Sequence, residues 1–369
     1  MSMPKLSLVA FLMVVLATGA FAQENHKSHS PTLTPQTSGT TQLLIAVSPV
    51  NSRVVWAAGA GGTYVLTTDG GDTWTAGVVP GAESLQFRDV YGVSEKIAYL
   101  LSIGSNTGDF HIYKTEDGGA TWAIQFTNTL ANAFYDCFAF WTPDRGIAHS
   151  DSVNGVFPDL RTTDGISWHA IFRNMPPALP GEASFAASGT CAATEGEKNA
   201  WIATGGSTIA RILATRDGGN TWNAYDTPLV SSPSAGGVSV AFRDGRHGIL
   251  GGGDLASNTS ADVATSDDGG QTWTLTNAPP TPGAIFCLAY VSGNRQPLDE
   301  LFHHEYDRTV VVTAETEPDF TSGSAAWTPD EGQTWFELPT ASGYWAVAFA
   351  NPKAGWFVGN NGQILKISF

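Results

Sequence analysis

One short motif recurs along this chain and constrains its fold more than any other feature. TTDGGDTW at residues 67–74 returns as TEDGGATW at 115–122. Four later stretches, TTDGISW, TRDGGNTW, SDDGGQTW and TPDEGQTW, follow the same pattern, the first of them one residue short. The aspartates of the six copies are separated by 48, 47, 53, 51 and 62 residues. A period of about 50 residues indicates a repeat architecture in which each repeat supplies one structural unit.

The segments between the motifs have strand character. Residues 346–367, AVAFANPKAGWFVGNNGQILKI, alternate short apolar runs with Gly, Asn and Pro, and other repeats follow the same scheme. Such runs predict about four antiparallel strands in each repeat, with the motif between the third and the fourth. Four-stranded sheets bury both faces when they stack radially around an axis, so we predict an all-β fold, a β-propeller. A right-handed β-solenoid is the alternative, although its repeats are usually shorter.

The two ends of the chain determine the number of blades. The last repeat, residues 343–369, contains three strand segments and lacks the fourth. Residues 32–47 align with the stretch that starts the fourth strand of the first repeat, residues 73–90. We therefore predict that an N-terminal strand near Thr32–Pro35 completes the last blade and closes a seven-bladed ring over residues 31–369.

The repeated motif has the chemistry of a structural turn. Asp and Thr side chains can bond to the backbone of their own turn, and Gly permits the positive φ that such turns need. The Trp at the end of the motif supplies a large apolar ring for packing between blades. Binding of calcium or a glycan by the aspartates is the functional alternative. We assign the structural role to Asp69, Trp74, Asp117, Trp122, Asp164, Trp168, Asp217, Trp222, Asp268, Trp273, Asp330 and Trp335.

The first residues have the features of an export signal. A short basic start precedes the apolar run Leu6–Phe21, and Ala20-Phe21-Ala22 forms a small-residue cleavage site. This pattern predicts a signal peptide over residues 1–22, a flexible segment over 23–30, and a secreted or periplasmic protein. A retained anchor is the alternative, but a run of roughly 16 residues is short for a membrane span. We expect no other membrane insertion.

The net charge restricts the kinds of partner, and the cysteine content restricts the number of disulfides. The chain has 34 acidic and 18 basic residues and a formal net charge of −16, which disfavours nucleic-acid partners. The cysteines Cys137, Cys191 and Cys287 lie in apolar segments, which favours buried packing over redox chemistry. At most one pair can form a disulfide, and the sequence leaves open whether any pair does.

The repeated motif resembles the Asp-box, or BNR (bacterial neuraminidase), repeat. That repeat is shared by sialidases, sortilin-type receptors, xyloglucan hydrolases and the photosystem II stability/assembly factor of chloroplasts and cyanobacteria. GWFVGNNGQILK and FRDGRHGILGGG most resemble the last family, whereas DCFAFWTPDRGIAHSDSVNG and ASGTCAATEGEKNAWIATGG resemble secreted bacterial proteins related to it. The resemblance covers residues 31–369. It implies a seven-bladed propeller with Asp-box turns that acts as a binding, assembly or stability factor for a macromolecular partner.

The residues that enzymes of this group need are sparse in the sequence. The first Arg of the sialidase triad lies in an Arg-Ile-Pro segment, and the nearest match here is RIL at 211–213. Asp89 in FRD and Asp136 in FYD occupy comparable places in neighbouring blades and could form a carboxylate pair for hydrolysis of a neutral glycan. The structural alternative is that these two aspartates cap turns or pair with Arg88. No nucleotide-binding fingerprint is present, so we expect no cofactor and favour a binding protein, a glycoside hydrolase being the alternative.

One insertion lengthens the interval before the last motif. NRQPLDELFHHEYDR at residues 294–308 is polar and contains His303, His304, Glu305 and Asp307. Adjacent His residues in a strand point to opposite faces, so we favour a solvated loop over a metal site. We predict no bound metal, and the loop remains a candidate partner contact.

Charged and aromatic residues of the inner strands mark a candidate binding site. Ligands of β-propellers commonly bind at the mouth of the central channel, and such side chains are expensive to bury without a role. We therefore predict a site for a protein or glycan partner there on a monomeric propeller. The alternative is that these side chains only fill the channel and pair with one another. Arg88, Asp136 and Trp345 align at one inner-strand position, with Asp89, Tyr135 and Tyr344 beside them.

Overall fold

Seven four-stranded antiparallel sheets form the blades of a β-propeller in the computed structural model of the chain. The structure describes residues 30–258, 261–293, 304–316 and 323–369. Within these ranges the helical elements are three short 3-10 turns, Thr107–Asp109, His304–Tyr306 and Asn360–Gly362. Both the all-β class and the number of blades that the repeats predict are confirmed.

The strands follow the chain blade by blade, except for the first strand, which belongs to the last blade. That strand is β1 (Thr32–Thr37). Blade 1 contains β2 (Leu44–Pro49), β3 (Val55–Gly59), β4 (Thr63–Thr67) and β5 (Thr75–Val78). Blade 2 contains β6 (Gln86–Gly92), β7 (Ala98–Ile103), β8 (His111–Thr115) and β9 (Ala123–Thr127). Blade 3 contains β10 (Tyr135–Thr142), β11 (Arg145–Ser150), β12 (Leu160–Thr162) and β13 (His169–Ala170).

The second half of the ring repeats this plan. Blade 4 contains β14 (Ala192–Glu195), β15 (Asn199–Ala203), β16 (Arg211–Thr215) and β17 (Asn223–Asp226). Blade 5 contains β18 (Ala235–Phe242), β19 (Gly248–Asp254), β20 (Asp262–Ser266) and β21 (Thr274–Leu275). Blade 6 contains β22 (Ala284–Tyr290), β23 (Val310–Glu315), β24 (Ser324–Thr328) and β25 (Phe336–Glu337). Blade 7 contains β26 (Tyr344–Asn351), β27 (Ala354–Gly359), β28 (Gln363–Ser368) and β1.

An N-terminal strand closes the ring, as predicted. β1 pairs with β28 over its whole length, from Thr32 opposite Ser368 to Thr37 opposite Gln363. The Trp74 indole Nε1 also donates to Gln36 Oε1 across 3.1 Å and thereby joins blade 1 to this strand. The fourth strand of the last blade therefore comes from the opposite end of the chain.

Each repeated motif forms the turn between the third and fourth strands of a blade. In the first copy the Thr67 hydroxyl donates to Asp69 Oδ1 (2.8 Å) and accepts the Gly71 N–H (2.9 Å), while Asp69 Oδ1 also accepts the Thr73 N–H (2.9 Å). The same three bonds recur in the other five copies. Bonds from Thr73 and Thr67 hold the pKa of Asp69 well below its usual range. These bonds lie within each turn, which accounts for one motif per blade.

The tryptophan that ends each motif contributes to the packing of the blades. Trp122 lies against Trp56 and Tyr64 of blade 1, with ring centroids 6.2 and 5.2 Å apart and edge-on geometry. Trp168, Trp222 and Trp273 are buried in three further clusters, whereas Trp74, Trp122 and Trp335 are half-buried. The apolar core is therefore distributed around the ring between blades, as a radial stack of sheets requires.

Some predictions concern residues outside the described ranges. The signal peptide at 1–22, residues 23–29 of the following segment and residues 294–303 of the insertion all lie there. Residues 304–306 of the insertion form a 3-10 turn, and Glu305 is exposed. Among the described residues, no helix is both long enough and apolar enough to traverse a bilayer. No group of three or more His, Cys, Asp and Glu side chains in those ranges is arranged to hold a metal ion.

Candidate binding site at the channel mouth

A β-bulge interrupts the innermost strand of six blades at the same level. In each case the pairing with the second strand skips one residue near the start of the inner strand. A bulge leaves its extra residue unpaired and re-aims the side chain. The six skipped residues are Ile45, Arg88, Asp136, Val238, Phe286 and Trp345.

These bulge residues meet at the end of the channel where the inner strands begin. Ile45, Val238, Phe286 and Trp345 belong to one apolar cluster, and Phe286 and Trp345 also line one cavity with Arg88 and Asp136. We call this end of the channel the mouth. Because strands alternate in direction within a blade, the motif turns lie at the opposite end.

Blade 4 contributes differently, because the segment before its short inner strand enters the channel. We call residues 183–190 the channel segment. The Ala186 carbonyl accepts a hydrogen bond from Arg88 Nη1 (3.0 Å), and Ser188 Oγ donates to the Phe286 carbonyl (2.6 Å). Ala187 belongs to the apolar cluster of the bulge residues. The channel segment thus bridges blades 2 and 6 across the axis.

A disulfide fixes the end of the channel segment. Cys191 follows the segment directly and is bonded to Cys137 of β10, with the two Cα atoms 6.0 Å apart. Cys287 is a buried free thiol on β22. The sequence allows at most one disulfide without identifying its cysteines, and the structure identifies them as Cys137 and Cys191.

The cavity at the mouth has a volume of about 390 Å³. Its buried lining residues, each less than 9% exposed, are Asp136, Ser184, Ala187, Phe286 and Trp345. Half-buried Phe134, Phe185 and Leu255 form the outer part of the lining. The volume lies at the lower end of the range for small-molecule pockets, so the cavity can take one side chain or a similar group.

Among the described residues, Arg88 is the one cationic side chain that lines this cavity. Besides its bond to Ala186, it donates from Nη2 to Gln86 Oε1 (2.8 Å), and its guanidinium carbon lies 5.7 Å from the centre of the Trp345 ring. Burial lowers the pKa of Arg88 to about 10, against the opposing effect of the Asp136 charge. The guanidinium is therefore held in place by neutral partners and an aromatic face.

Asp136 and Asp151 form a buried carboxyl pair beside Arg88. Burial and the neighbouring Asp151 charge raise the pKa of Asp136 well above its usual value, and burial raises the pKa of Asp151. Asp151 also accepts the Ser184 N–H (2.9 Å). Behind the pair, His149 Nδ1 lies 2.9 Å from Asp159 Oδ2, and both side chains are almost fully buried. Two ionised carboxylates cannot donate to each other, so their contact is a hydrogen bond only while one retains a proton.

The other three predicted site residues do not line this cavity. The two Asp89 oxygens accept the backbone N–H groups of Val90 (2.7 Å) and Phe138 (2.8 Å). Tyr135 donates to the Pro158 carbonyl inside an aromatic cluster, and Tyr344 packs against Phe357. Each of these three residues is adjacent to the bulge residue of its strand, and only the bulge residue lines the cavity.

Asp89 lies one position after the residue of blade 2 that is equivalent to Asp136, as the alignment of the repeats predicts. The bulge residue of blade 2 is Arg88, so Arg88 occupies the place of Asp136. Asp89 lines a second cavity of about 470 Å³ at the other end of the channel. Asp89 and Asp136 therefore do not form a carboxylate pair around one cavity.

A third cavity of about 430 Å³ lies between blades 5 and 6, at the end of the motif turns. Arg243 and Arg308 line it, but both donate to Glu331, across 2.8 and 2.9 Å. Glu331 replaces the first Gly of the last motif at a φ of 56° and also accepts the Tyr290 hydroxyl. Because these charges are already paired, this cavity is a weaker candidate than the mouth.

Comparison with known proteins identifies the repeat and the fold. A family model described as the BNR/Asp-box repeat matches residues 264–275. No curated protein matches the chain. A structure of "YCF48 bound to D1 peptide" is 17% identical with a TM-score of 0.60, the alignment covering 92% of this chain and 98% of that one.

Two further solved structures show the same fold. YCF48 from Cyanidioschyzon merolae is 15% identical with a TM-score of 0.62, with 91% of this chain and 98% of that one covered. The GH74 enzyme of Niastella koreensis is 15% identical with a TM-score of 0.61, but only 53% of its chain is covered. At such identities the likeness concerns the fold alone: the chain is similar to β-propellers that include YCF48 and a GH74 enzyme, and one of its repeats matches the BNR/Asp-box model.

Proposed function

We propose that this protein is a binding factor that holds a polypeptide segment of a macromolecular partner at the channel mouth. The observation that carries the proposal is the cavity itself, in which Arg88, Asp136 and Trp345 converge although they come from three blades. Burying polar atoms without a hydrogen bond is unfavourable, and no donor in the described part of the chain reaches Asp136 Oδ2. Aromatic and Arg side chains are also the residues that most often anchor protein interfaces.

The fold comparison supports a peptide as the ligand class. In one of the similar structures, YCF48 is bound to a D1 peptide. This observation belongs to that protein, and we extend the ligand class, not the particular peptide, to the present chain. We also propose that the protein is exported and acts as a monomer. The Cys137–Cys191 disulfide supports export, because such bonds persist in oxidising compartments.

Hydrolysis of a neutral glycan is the alternative, and the fold likeness to GH74 enzymes keeps it open. The geometry of the mouth favours glycan hydrolysis less than it favours peptide binding. Retaining glycosidases hold their two carboxyl groups about 5–5.5 Å apart, and inverting enzymes hold them farther apart. Asp89 instead accepts backbone N–H groups on both oxygens and lines the cavity at the opposite end of the channel from Asp136, so these two carboxyls cannot flank one glycosidic bond.

Selection of a displayed random-peptide library on the immobilised protein tests the proposal. Arg88→Glu combined with Trp345→Ala should abolish retention of the enriched peptides. Trp345 is buried, so the variant will be less stable than the wild type, and circular dichroism must show that it is still folded at the assay temperature. The matched control is Arg145→Glu with Trp141→Ala, which removes a similar cation–aromatic pair (5.8 Å) away from the mouth. Peptides that a folded Arg88/Trp345 variant still retains would move the site elsewhere, with the 294–308 insertion as the next candidate.

A further inference from the structure

The mouth cavity contains one acceptor that the protein itself does not satisfy. Asp136 is 1% exposed, and its Oδ2 atom receives no hydrogen bond from any donor in the described part of the chain. Nearly all buried polar atoms in folded proteins have a partner, so an exception that lines a cavity indicates a missing ligand. Asp136 Oδ2 calls for a donor, and Arg88 Nε, a second buried atom of this cavity without a hydrogen-bond partner in the described part of the chain, calls for an acceptor such as a backbone carbonyl of the same ligand.

The charges around the cavity indicate the charge that the ligand should carry. Asp136 and Asp151 oppose a single cation, Arg88, so full ionisation of the pair leaves a net negative charge beside the cavity. Arg211 does not line the cavity, and it is bonded to Glu182 through Nε (2.9 Å) and Nη2, so its charge is already paired. One additional monovalent cation would balance the charges of the residues that line the cavity.

The walls of the cavity favour an organic cation over an anion. Phe134, Phe185, Phe286 and Trp345 line it, and aromatic faces attract ammonium groups. An anion would meet two carboxyl groups and one guanidinium in the same cavity. A divalent metal would need more oxygen ligands than this carboxyl pair supplies.

We propose that the mouth cavity is a pocket for one lysine side chain of the bound polypeptide, whose ammonium group donates to Asp136 while its methylene chain packs against the aromatic walls. This inference rests on the proposed function and specifies the chemistry of its ligand. Without ligand, we expect the carboxyl pair to retain a proton, because burial and the Asp151 charge raise the pKa of Asp136. The ammonium group replaces that proton as the neutralising charge, so each binding event releases a proton.

Small probes test the pocket independently of any peptide. We expect n-butylammonium to bind with a Kd on the order of millimolar in a titration followed by NMR, and n-butanol and butyrate to bind far more weakly. Asp136→Asn should weaken butylammonium binding by roughly tenfold or more, since it removes the charged acceptor. Asp226→Asn, a change at an exposed aspartate of β17, is the matched control and should leave the affinity unchanged.

Calorimetry in two buffers with different ionisation enthalpies should reveal proton release on binding by the wild-type protein. Tighter binding of butyrate than of butylammonium, or no saturable response to the amine by the folded protein, would overturn the lysine pocket. Peptides from the library separate the two proposals. If they require Arg88 and Trp345 but tolerate Lys→Gln at every position, the polypeptide site stands and the lysine inference is wrong.

Discussion

Cys137 and Cys191 are joined by a disulfide that ties the inner strand of blade 3 to the end of the channel segment. The bond spans 54 residues of chain and includes the connection that carries residues 183–190 into the channel. Two covalently linked cysteines thus hold the element that contacts Arg88 and Phe286. The architecture of the mouth therefore depends on a crosslink as well as on strand pairing.

Replacing both Cys137 and Cys191 by Ala should destabilise the protein by about 4 kcal/mol, the loop-closure estimate for a crosslink of this span. Urea unfolding of the oxidised wild type and the double variant measures the difference. Reductant should lower the stability of the wild type and leave the variant unaffected. Equal stabilities of the wild type and the variant would mean that the channel segment is held by its noncovalent contacts alone.

The closing strand offers a second test. Deleting residues 30–38 removes β1, exposes the edge of β28 and should lower the melting temperature sharply. Leu33→Asp should reproduce part of the loss, because Leu33 packs against the core cluster of blades 6, 7 and 1. Thr34→Asp at the adjacent exposed position is the control and should change little. A deletion variant that melts at the wild-type temperature would contradict closure by this strand.

The tryptophans of the motif turns should differ in energetic importance according to their burial. Trp222 is 6% exposed, so Trp222→Ala should lower the free energy of unfolding by about 3–5 kcal/mol. Trp335 is half-buried, and the same change there should cost about half as much. Chemical denaturation measures both values. Calcium or a chelator should alter neither, because the motif aspartates are bonded within their own turns; a strong calcium dependence would instead indicate a metal at the turns.

The fold was predictable because its determinants are local and repeated. The bonds of each Asp-box turn join residues at most four positions apart, so one motif reports one turn wherever it occurs. The equivalence of Arg88, Asp136 and Trp345 also followed from aligning the repeats. The missing fourth strand of the last repeat, matched by residues 32–47, predicted the closure.

The rest of the mouth was not predictable for physical reasons. Phe286 and Val238 are bulge residues, but in sequence they look like any apolar residue of an inner strand. Asp151 reaches Asp136 only because β10 and β11 pair antiparallel, with Tyr135 opposite Ser150. The channel segment has no strand periodicity, and its only signals were a longer repeat interval and the proline-rich stretch MPPALP that precedes it.

The carboxyl pair gives the mouth a pH dependence with a definite sign. The groups that face Asp136 are Arg88 on β6, Asp151 beyond β11, and the His149–Asp159 pair. Burial and the Asp151 charge raise the pKa of Asp136 in the folded state, so between the unfolded pKa near 3.9 and this higher value the folded protein binds more protons than the unfolded chain. Its contribution to stability is therefore fully present below about pH 4 and is lost as the pH rises, by up to about 1.4 kcal/mol per unit.

Asp136→Asn removes this titration. We expect the stability of the variant relative to wild type to increase from pH 4 to pH 8, as measured by urea unfolding at each pH. Asp69→Asn is the opposite control, because the pKa of Asp69 is lowered by its turn bonds. Asp69 stabilises the folded state above its unfolded pKa, so the deficit of that variant should shrink as the pH falls below about 4. A relative stability of Asp136→Asn that stays constant or falls between pH 4 and 8 would show that Asp136 is ionised in the folded protein throughout that range, and the shared proton at the mouth would have to be abandoned.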